Sequence, residues 1–243
     1  MQEKNTNEQG VLFERLVIGG AVVLGIAIVI LAIVFGKGSF QNPASSSTKP
    51  VSDGRTGLEI RNEAVLGNPQ ASSTIVEFLD FQCSACGIFF GQIEPQIRAR
   101  YIDTGRAKMI VKILSFIDGY NKKGESYAAA RAALCAKEQG GFWKMHDAIF
   151  SAEWAEISAK KNNENNGNLT RDAFVSFAKK SGLDTAAFTA CYDSTDTYAT
   201  STEEYMKDIT ALLGDNIGTP TVFINGTQVQ NAFDLEEYEK LIK

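Results

Sequence analysis

Apolar residues repeat at two spacings along this chain, and each spacing predicts one kind of element. Short apolar runs that contain β-branched residues predict strands at 75–81, 108–116 and 221–224. The helical spacing predicts helices at 85–101 (with a kink at Pro95), 125–139, 142–152, 170–181, 184–192, 195–213 and 234–242. Asn225–Gly226 predicts a hairpin into a short strand at 227–230. The resulting order of elements is typical of an α/β fold.

A separate apolar stretch near the N-terminus, Leu16 to Phe35, carries no charge. At about 1.5 Å per residue its roughly 20 residues span the roughly 30 Å core of a bilayer. We therefore expect a transmembrane anchor at 16–35, a cytoplasmic tail at 1–15, and a flexible linker rich in Ser, Gly and Pro at 36–57. A cleaved secretory signal is the alternative, although its apolar region is normally only about 7–15 residues long.

The chain as a whole has the composition of a globular protein. Apolar residues make up 44% and charged residues 22% of its 243 residues, which is enough to build a core. The net charge of −5 gives no reason to expect nucleic-acid binding, which usually needs a basic surface. We expect two strand-bearing halves, 58–121 and 214–243, that flank a helical insertion at 122–213.

Cys83-Ser84-Ala85-Cys86 stands where the first predicted strand gives way to a helix. Unpaired N–H groups and the helix dipole favour a thiolate at that position, and a second thiol one turn later can resolve a mixed disulfide. A zinc site would need a second ligand pair, which the isolated Cys135 and Cys191 do not form. Gly87 stands where attachment of a c-type haem would need histidine. A purely structural bridge between Cys83 and Cys86 remains an alternative.

Three segments resemble the DsbA-like branch of the thioredoxin superfamily. They are Val76–Cys86, Phe142–Phe150 and Gly218–Gly226, and they occur in the order typical of that family. The resemblance covers about residues 58–243 and implies a thioredoxin fold interrupted by a helical domain that caps the active site. The two strand-bearing halves would then be the two halves of the thioredoxin domain.

The resemblance also implies roles for individual residues. Cys83 corresponds to the nucleophile and Cys86 to the buried resolving cysteine. Thr219 and Pro220 match the cis-proline loop that receives the substrate backbone, and an X–Pro bond is where a cis peptide costs little. The alternative for Pro220 is an ordinary proline at the start of a strand.

Glu77 is a carboxylate inside an apolar strand, six residues before Cys83. Burying such a charge costs several kcal/mol unless the group is paired or protonated. In the family that the chain resembles, this position holds a buried acid that assists proton transfer at the resolving cysteine. Alternatively, the side chain points to solvent from a strand at the sheet edge.

Two other features lie in the predicted insertion. The resemblance implies a structural disulfide between Cys135 and Cys191; two free buried thiols are the alternative. His146 is the only histidine, and a lone histidine among aromatic residues is more often structural than catalytic.

The dipeptide Ser84-Ala85 departs from the pairs common in the family and offers no histidine to stabilise the Cys83 thiolate. We therefore predict a weaker oxidant than the most oxidising members. The function expected is that of a membrane-tethered thiol–disulfide oxidoreductase whose catalytic domain faces an extracytosolic compartment. It would introduce disulfides into exported proteins, as a monomer without cofactor or metal.

Several parts of that function stay open. A membrane-embedded, quinone-linked partner for reoxidation is implied by the resemblance alone. A disulfide reductase or isomerase is one alternative. Others are a non-catalytic binding or chaperone module and metal delivery through the dithiol.

Overall fold

The computed structural model describes residues 57–119, 121, 123–194 and 199–243. All the described elements belong to one compact unit within Lys49–Lys243. The predicted tail at 1–15, the anchor at 16–35 and nearly all of the linker at 36–57 lie outside the described residues. Across the ranges that are described, no helix combines the length and apolar character needed to cross a bilayer.

The strands and helices follow one another in the order expected for an α/β fold. The strands are β1 (Leu66–Gly67), β2 (Ser73–Leu79), β3 (Ala107–Ile113), β4 (Thr221–Ile224) and β5 (Thr227–Gln228). The helices are α1 (Ser84–Gln92), α2 (Glu94–Ile97), α3 (Glu125–Lys137), α4 (Phe142–Ser158), α5 (Arg171–Lys180), α6 (Thr185–Asp193), α7 (Ala199–Leu213) and α8 (Leu235–Leu241). One π-helical turn, Arg98–Ile102, follows α2.

The five strands form one sheet in the order β1-β3-β2-β4-β5. The β2–β3 pair is parallel, and the other pairs are antiparallel. A parallel pair needs a long crossover connection, which α1 and α2 provide. A parallel pair extended by an antiparallel hairpin, with the helices α3–α6 inserted before that hairpin, agrees with the predicted thioredoxin fold.

Both faces of the central strand β2 are buried, which explains its continuous apolar run. Because side chains alternate along a strand, Ile75 and Leu79 face one core together with α1, while Val76 and Phe78 face the other. Glu77 shares the parity of Ile75 and Leu79. It therefore points toward the core that carries the two cysteines of the Cys-x-x-Cys motif.

The second core lies between the sheet and α7. Tyr205 and Ile209 of that helix pack with the β2 and β3 side chains of this face. The fully buried Lys112 of β3 places its Nζ 3.1 Å from Asp208 Oδ2 and 3.4 Å from Glu63 Oε1. Helix α7 thus lies within the predicted insertion range 122–213 but packs on the sheet. The domain boundaries themselves stay a prediction.

The prediction of one continuous helix at 85–101 is wrong, because the structure has two helices there. Helix α1 ends at Gln92, and Pro95 stands in the first turn of a new helix, α2. Proline lacks the N–H that an interior helical position needs, and its ring clashes with the carbonyl four residues earlier. Pro95 therefore starts a second helix where a kink in one continuous helix was expected. The two-residue strand β1 was not predicted, because so short a segment shows no periodicity.

A disulfide joins Cys135 of α3 to Cys191 of α6, with a Cα–Cα distance of 5.8 Å. Cys135 is fully buried in the core that α3 to α6 share with the sheet. Close by, the Arg131 guanidinium stacks on the Tyr192 ring at 4.2 Å. The crosslink thus ties the first inserted helix to the fourth.

Replacing both Cys135 and Cys191 by alanine should lower the free energy of unfolding by about 4 kcal/mol. The disulfide closes a loop between residues 56 positions apart, and without it the unfolded chain regains the conformational entropy of that loop. Guanidinium-induced unfolding of the two proteins under non-reducing conditions measures the difference. The same unfolding curves recorded with a reductant are the control. Equal midpoints for variant and wild type without reductant would contradict the stabilising role of the crosslink.

Candidate active site

Cys83 is the N-cap residue of α1 and has an extended backbone conformation. A turn at the end of β2 places it there, since the Cys83 N–H donates to the Asp80 carbonyl at 3.0 Å. The Cys83 carbonyl in turn accepts from the Gly87 N–H at 3.0 Å, within the first turn of α1. Cys83 is 8% exposed and Cys86 is fully buried, so only the first sulfur can meet a protein substrate.

The loop before β4 lies against this thiol. The Cys83 Sγ is 3.4 Å from the carbonyl oxygen of Thr219, and the Thr219–Pro220 peptide bond is cis. The structure thus brings together four residues that the sequence predicted to share a site: Cys83, Cys86, Thr219 and Pro220. Their roles in binding and catalysis stay predictions.

The pKa of Cys83 is lowered to about 6, and the main cause is a hydrogen bond from the Cys86 thiol. The backbone N–H groups of Ala85 and Cys86 at the start of α1 lower it further, whereas burial opposes the shift. Cys83 is therefore mostly a thiolate at neutral pH, and the thiolate is the reactive form.

Cys86 behaves in the opposite way. Its pKa is raised well above the ordinary value, first by burial and then by its hydrogen bond to Cys83 and the charge of Cys83. Glu77 adds to the shift in the same direction. The pair therefore combines a thiolate at the surface with a buried thiol that keeps its proton. Disulfide chemistry at Cys86 needs a route for that proton.

Glu77 lies on the central strand, paired with Val111 on one side and Val222 on the other, and is 1% exposed. The alternative of a solvent-facing side chain at a sheet edge is therefore wrong. Burial raises the pKa of Glu77 well above its usual value, and the nearby Glu94 carboxylate adds to the shift. The Glu77 Oε2 atom has no hydrogen-bond partner among the described residues. A protonated carboxyl group in this position can exchange a proton with a neighbouring group.

Comparison with known proteins decides the family. A sequence model described as Thioredoxin matches residues 59–243. The chain belongs to the thioredoxin family.

Relatives within this family fit the predicted resemblance. The disulfide bond formation protein D of Bacillus subtilis is 28% identical over 195 residues, which are 76% of this chain and 77% of that protein. The crystal structure of oxidised BdbD from the same organism is 27% identical, with a TM-score of 0.59 over 74% of this chain and 90% of that one. Chlamydia trachomatis DsbA, at 21% identity and a TM-score of 0.58 over 76% of this chain and 91% of that one, shares the fold. The chain spans from 23% to 77% of the length of its curated relatives.

Asp80 holds the active-site turn of this thioredoxin-family domain, and the sequence analysis missed it. Its buried carboxylate accepts hydrogen bonds from the N–H groups of Gln82, Phe116 and Ile117 and from the Ser126 hydroxyl. These bonds tie the end of β2 to the segment after β3 and to the first turn of α3. The only signal in the sequence was an acidic residue next to an apolar strand.

Two glycines of α1 allow α4 to approach the active-site helix. A Cβ atom at Gly87 would lie 2.3 Å from Ile157 Cδ1, and one at Gly91 would lie 2.4 Å from the Trp154 ring. Because the two glycines are four residues apart, they present one smooth stripe to α4. This close packing fixes the orientation of α1, and with it the position of Cys83 at the start of the helix.

The segment between α4 and α5 reaches back to the active site. The buried Glu153 carboxylate accepts from the side-chain amides of Asn163 at 2.8 Å, Asn168 at 2.9 Å and Gln82 at 3.4 Å. Gln82 directly precedes Cys83. A single sequence carries no signal for this network, because it depends on the path of the loop.

His146 is surrounded by aromatic rings that include Phe81, Trp143 and Phe150. Its Nδ1 is 2.9 Å from Asp147 Oδ1, and the Asp147 carboxylate also accepts from Arg98. These contacts agree with the structural role that was expected for this residue.

The hydrogen bonds to the Cys83 sulfur predict a low pKa for this thiol. In the reduced wild-type protein, the Cys83 thiolate should form with a pKa of about 6, measured by absorbance at 240 nm or by the pH dependence of alkylation. Cys86→Ala should raise that pKa, because it removes the main hydrogen-bond donor to the thiolate. Cys83→Ala is the control and should abolish the titration near pH 6. A wild-type pKa near the ordinary value of about 8.5 would contradict the assignment.

The raised pKa of Glu153 predicts that the stability of the folded protein depends on pH. Burial raises its pKa to about 7 in the folded protein, so the folded state holds a proton that the unfolded state releases at lower pH. Its contribution to stability is present below the unfolded pKa of about 4.3 and is lost as the pH rises through about 7. Glu153→Gln should flatten the fall in melting temperature between pH 5 and pH 8. Parallel pH profiles for wild type and variant would rule out this contribution.

Proposed function

We propose that this protein is a protein-disulfide oxidoreductase that introduces disulfides into exported proteins through Cys83 and Cys86. The observation that carries the proposal is a thiolate-forming Cys83 at the start of α1, directly above a buried thiol and beside the cis-proline loop. The name of the Bacillus subtilis relative, disulfide bond formation protein D, supports the same activity.

The reaction begins from the oxidised Cys83–Cys86 pair. A thiolate of the client attacks Cys83 Sγ, forms a mixed disulfide and breaks the bond to Cys86. The Cys86 sulfur takes the electron pair and then a proton, for which the protonated Glu77 carboxyl is the proposed source. A second client thiolate attacks the client sulfur of the mixed disulfide and releases the Cys83 thiolate. The client gains one disulfide, and the enzyme is left with two reduced cysteines.

The low pKa of Cys83 supports the oxidising direction. A stabilised thiolate stabilises the reduced enzyme, and a low-pKa sulfur is a good leaving group in the last step. The Ser84-Ala85 dipeptide brings no cation to this thiolate, which supports an oxidant of intermediate strength. A reductase or isomerase would use the same residues at a lower reduction potential.

The remaining parts of the proposal concern the cellular setting. Residues 16–35 anchor the chain in the cell membrane, and the catalytic domain lies on the extracytosolic side. The disulfide between Cys135 and Cys191 supports this placement, because such bonds persist mainly in oxidising compartments. Clients are exported proteins with cysteines, and a quinone-linked membrane protein reoxidises the pair. The protein acts as a monomer.

Trapping of clients tests the proposal. Cys86→Ala, expressed as the full chain in its own cells, should accumulate mixed disulfides between Cys83 and exported proteins, because the resolving thiol is missing. Non-reducing gels with and without dithiothreitol reveal these adducts, and mass spectrometry identifies the clients. Cys83→Ala is the matched control and should trap none. Absence of reducible adducts, or adducts with cytosolic proteins alone, would refute the proposal.

A further inference from the structure

Ser84, the first residue of α1 and the neighbour of Cys83, is held by the loop between α4 and α5. Its hydroxyl oxygen is 2.7 Å from Asn163 Oδ1 and 3.0 Å from Glu164 Oε1. The Ser84 backbone N–H lies 3.5 Å from the same Glu164 oxygen. The carboxylate of Glu164 therefore contacts Ser84, the first of the two residues between the cysteines, through both its hydroxyl and its backbone N–H.

The loop is fixed on both sides of Glu164. Asn163 donates its amide to the Gln82 carbonyl at 3.0 Å and to the Glu153 carboxylate, so its own oxygen must point to Ser84. On the other side, the Asn165 N–H donates to the Gln82 side-chain oxygen. Because the partners of Asn163 and Asn165 are buried or half-buried, these hydrogen bonds hold the loop in place and keep the Glu164 carboxylate next to Ser84.

This position has an electrostatic consequence for the Cys83 sulfur. The N–H groups at the start of α1 carry partial positive charge and stabilise the Cys83 thiolate. Glu164 places a second negative charge at the same helix end. Two negative charges that share one helix end repel each other, and the cost applies only when Cys83 is a thiolate. It therefore destabilises the reduced form and leaves the disulfide form unaffected.

We propose that Glu164 is a positioning residue that weakens the Cys83–Cys86 pair as an oxidant, by holding its carboxylate against Ser84 at the start of α1. The proposal rests on the proposed thiol–disulfide exchange at Cys83. Among the described residues, the titratable groups near this thiol also include Cys86, Glu77 and Asp80, and Glu153, which accepts from the Gln82 amide. Glu164 differs from them because it belongs to the inserted loop.

The test measures equilibrium with glutathione. Two molecules of glutathione reduce the Cys83–Cys86 disulfide to two thiols and are themselves joined as glutathione disulfide, so atoms and electrons balance. Glu164→Gln keeps the shape and the acceptor oxygen but removes the charge. It should shift this equilibrium about 3- to 10-fold toward the reduced enzyme, where tenfold corresponds to about 30 mV. The pKa of Cys83 should fall in the same variant.

Glu156→Gln is the matched control. Glu156 lies near the end of α4 and pairs with Lys161 at 3.5 Å, so this substitution removes a charge from the neighbouring helix end without touching Ser84. Its equilibrium constant should stay within about twofold of wild type. An equal shift in both variants would show a general charge effect and overturn the proposal.

A double-mutant cycle with Ser84→Ala tests the contact itself. Without the hydroxyl, the carboxylate is held less firmly, so Glu164→Gln should shift the equilibrium less in this background than in wild type. An unchanged equilibrium and thiol pKa in Glu164→Gln, with a wild type that exchanges normally, would refute the role of Glu164. A wild type that exchanges no disulfide with glutathione would instead refute the proposed function.

Discussion

The thiolate of Cys83 at the first turn of α1 is the interaction on which the rest of this site depends. A sulfur anion next to apolar side chains is unstable unless hydrogen-bond donors converge on it, and three donors come from α1 itself: the Cys86 thiol and the N–H groups of Ala85 and Cys86. Their arrangement requires that α1 begin at one defined residue. Asp80 fixes that start from the sheet, and the Gly87–Gly91 stripe fixes the direction of the helix against α4.

The two buried groups near this thiolate, Cys86 and Glu77, have raised pKa values, first because they are buried and also because the Cys83 thiolate is negatively charged. Cys86 donates its proton to the hydrogen bond with Cys83, and its burial makes it a poor anion. Burial on the central strand likewise raises the pKa of Glu77 and favours its protonated form. The site therefore combines a thiolate at Cys83 with two buried groups, Cys86 and Glu77, that favour their protonated forms. Thiol–disulfide exchange uses the thiolate as the reactive sulfur and needs a proton for the Cys86 sulfur when the disulfide opens.

The sequence was most informative where local chemistry and periodicity coincide. The apolar run before Cys83 predicted the central strand within two residues at each end, and 221–224 was predicted as observed. The interior position of Glu77 followed from the same run, although its exposure could not be decided until the sheet order placed β2 at the centre. The break between α1 and α2 was expected only as a kink at Pro95, because a proline is compatible with both a kink and the start of a new helix.

Contacts between distant parts of the chain could not be predicted. The loop between α4 and α5 is polar and rich in asparagine, which in a single sequence indicates only a turn. Its contacts with Gln82 and Ser84 join residues about 80 positions apart and depend on how α4 packs against α1. The packing of α7 on the other face of the sheet was unpredictable for the same reason. It brings together the buried Lys112 of β3 and Asp208 of α7, which are distant in the sequence. In both cases polar residues that looked like surface residues prove to hold elements together.

The reduction potential of the Cys83–Cys86 pair in the full chain tests the central claim most directly. Equilibration with glutathione buffers, followed by alkylation and separation of the two redox forms, measures it. A thiolate stabilised by α1, with no cation in the Ser84-Ala85 dipeptide beside it, predicts a value between about −270 mV, as in thioredoxin, and about −120 mV, as in DsbA. A value at or below the thioredoxin end, or one near −120 mV, would contradict this account.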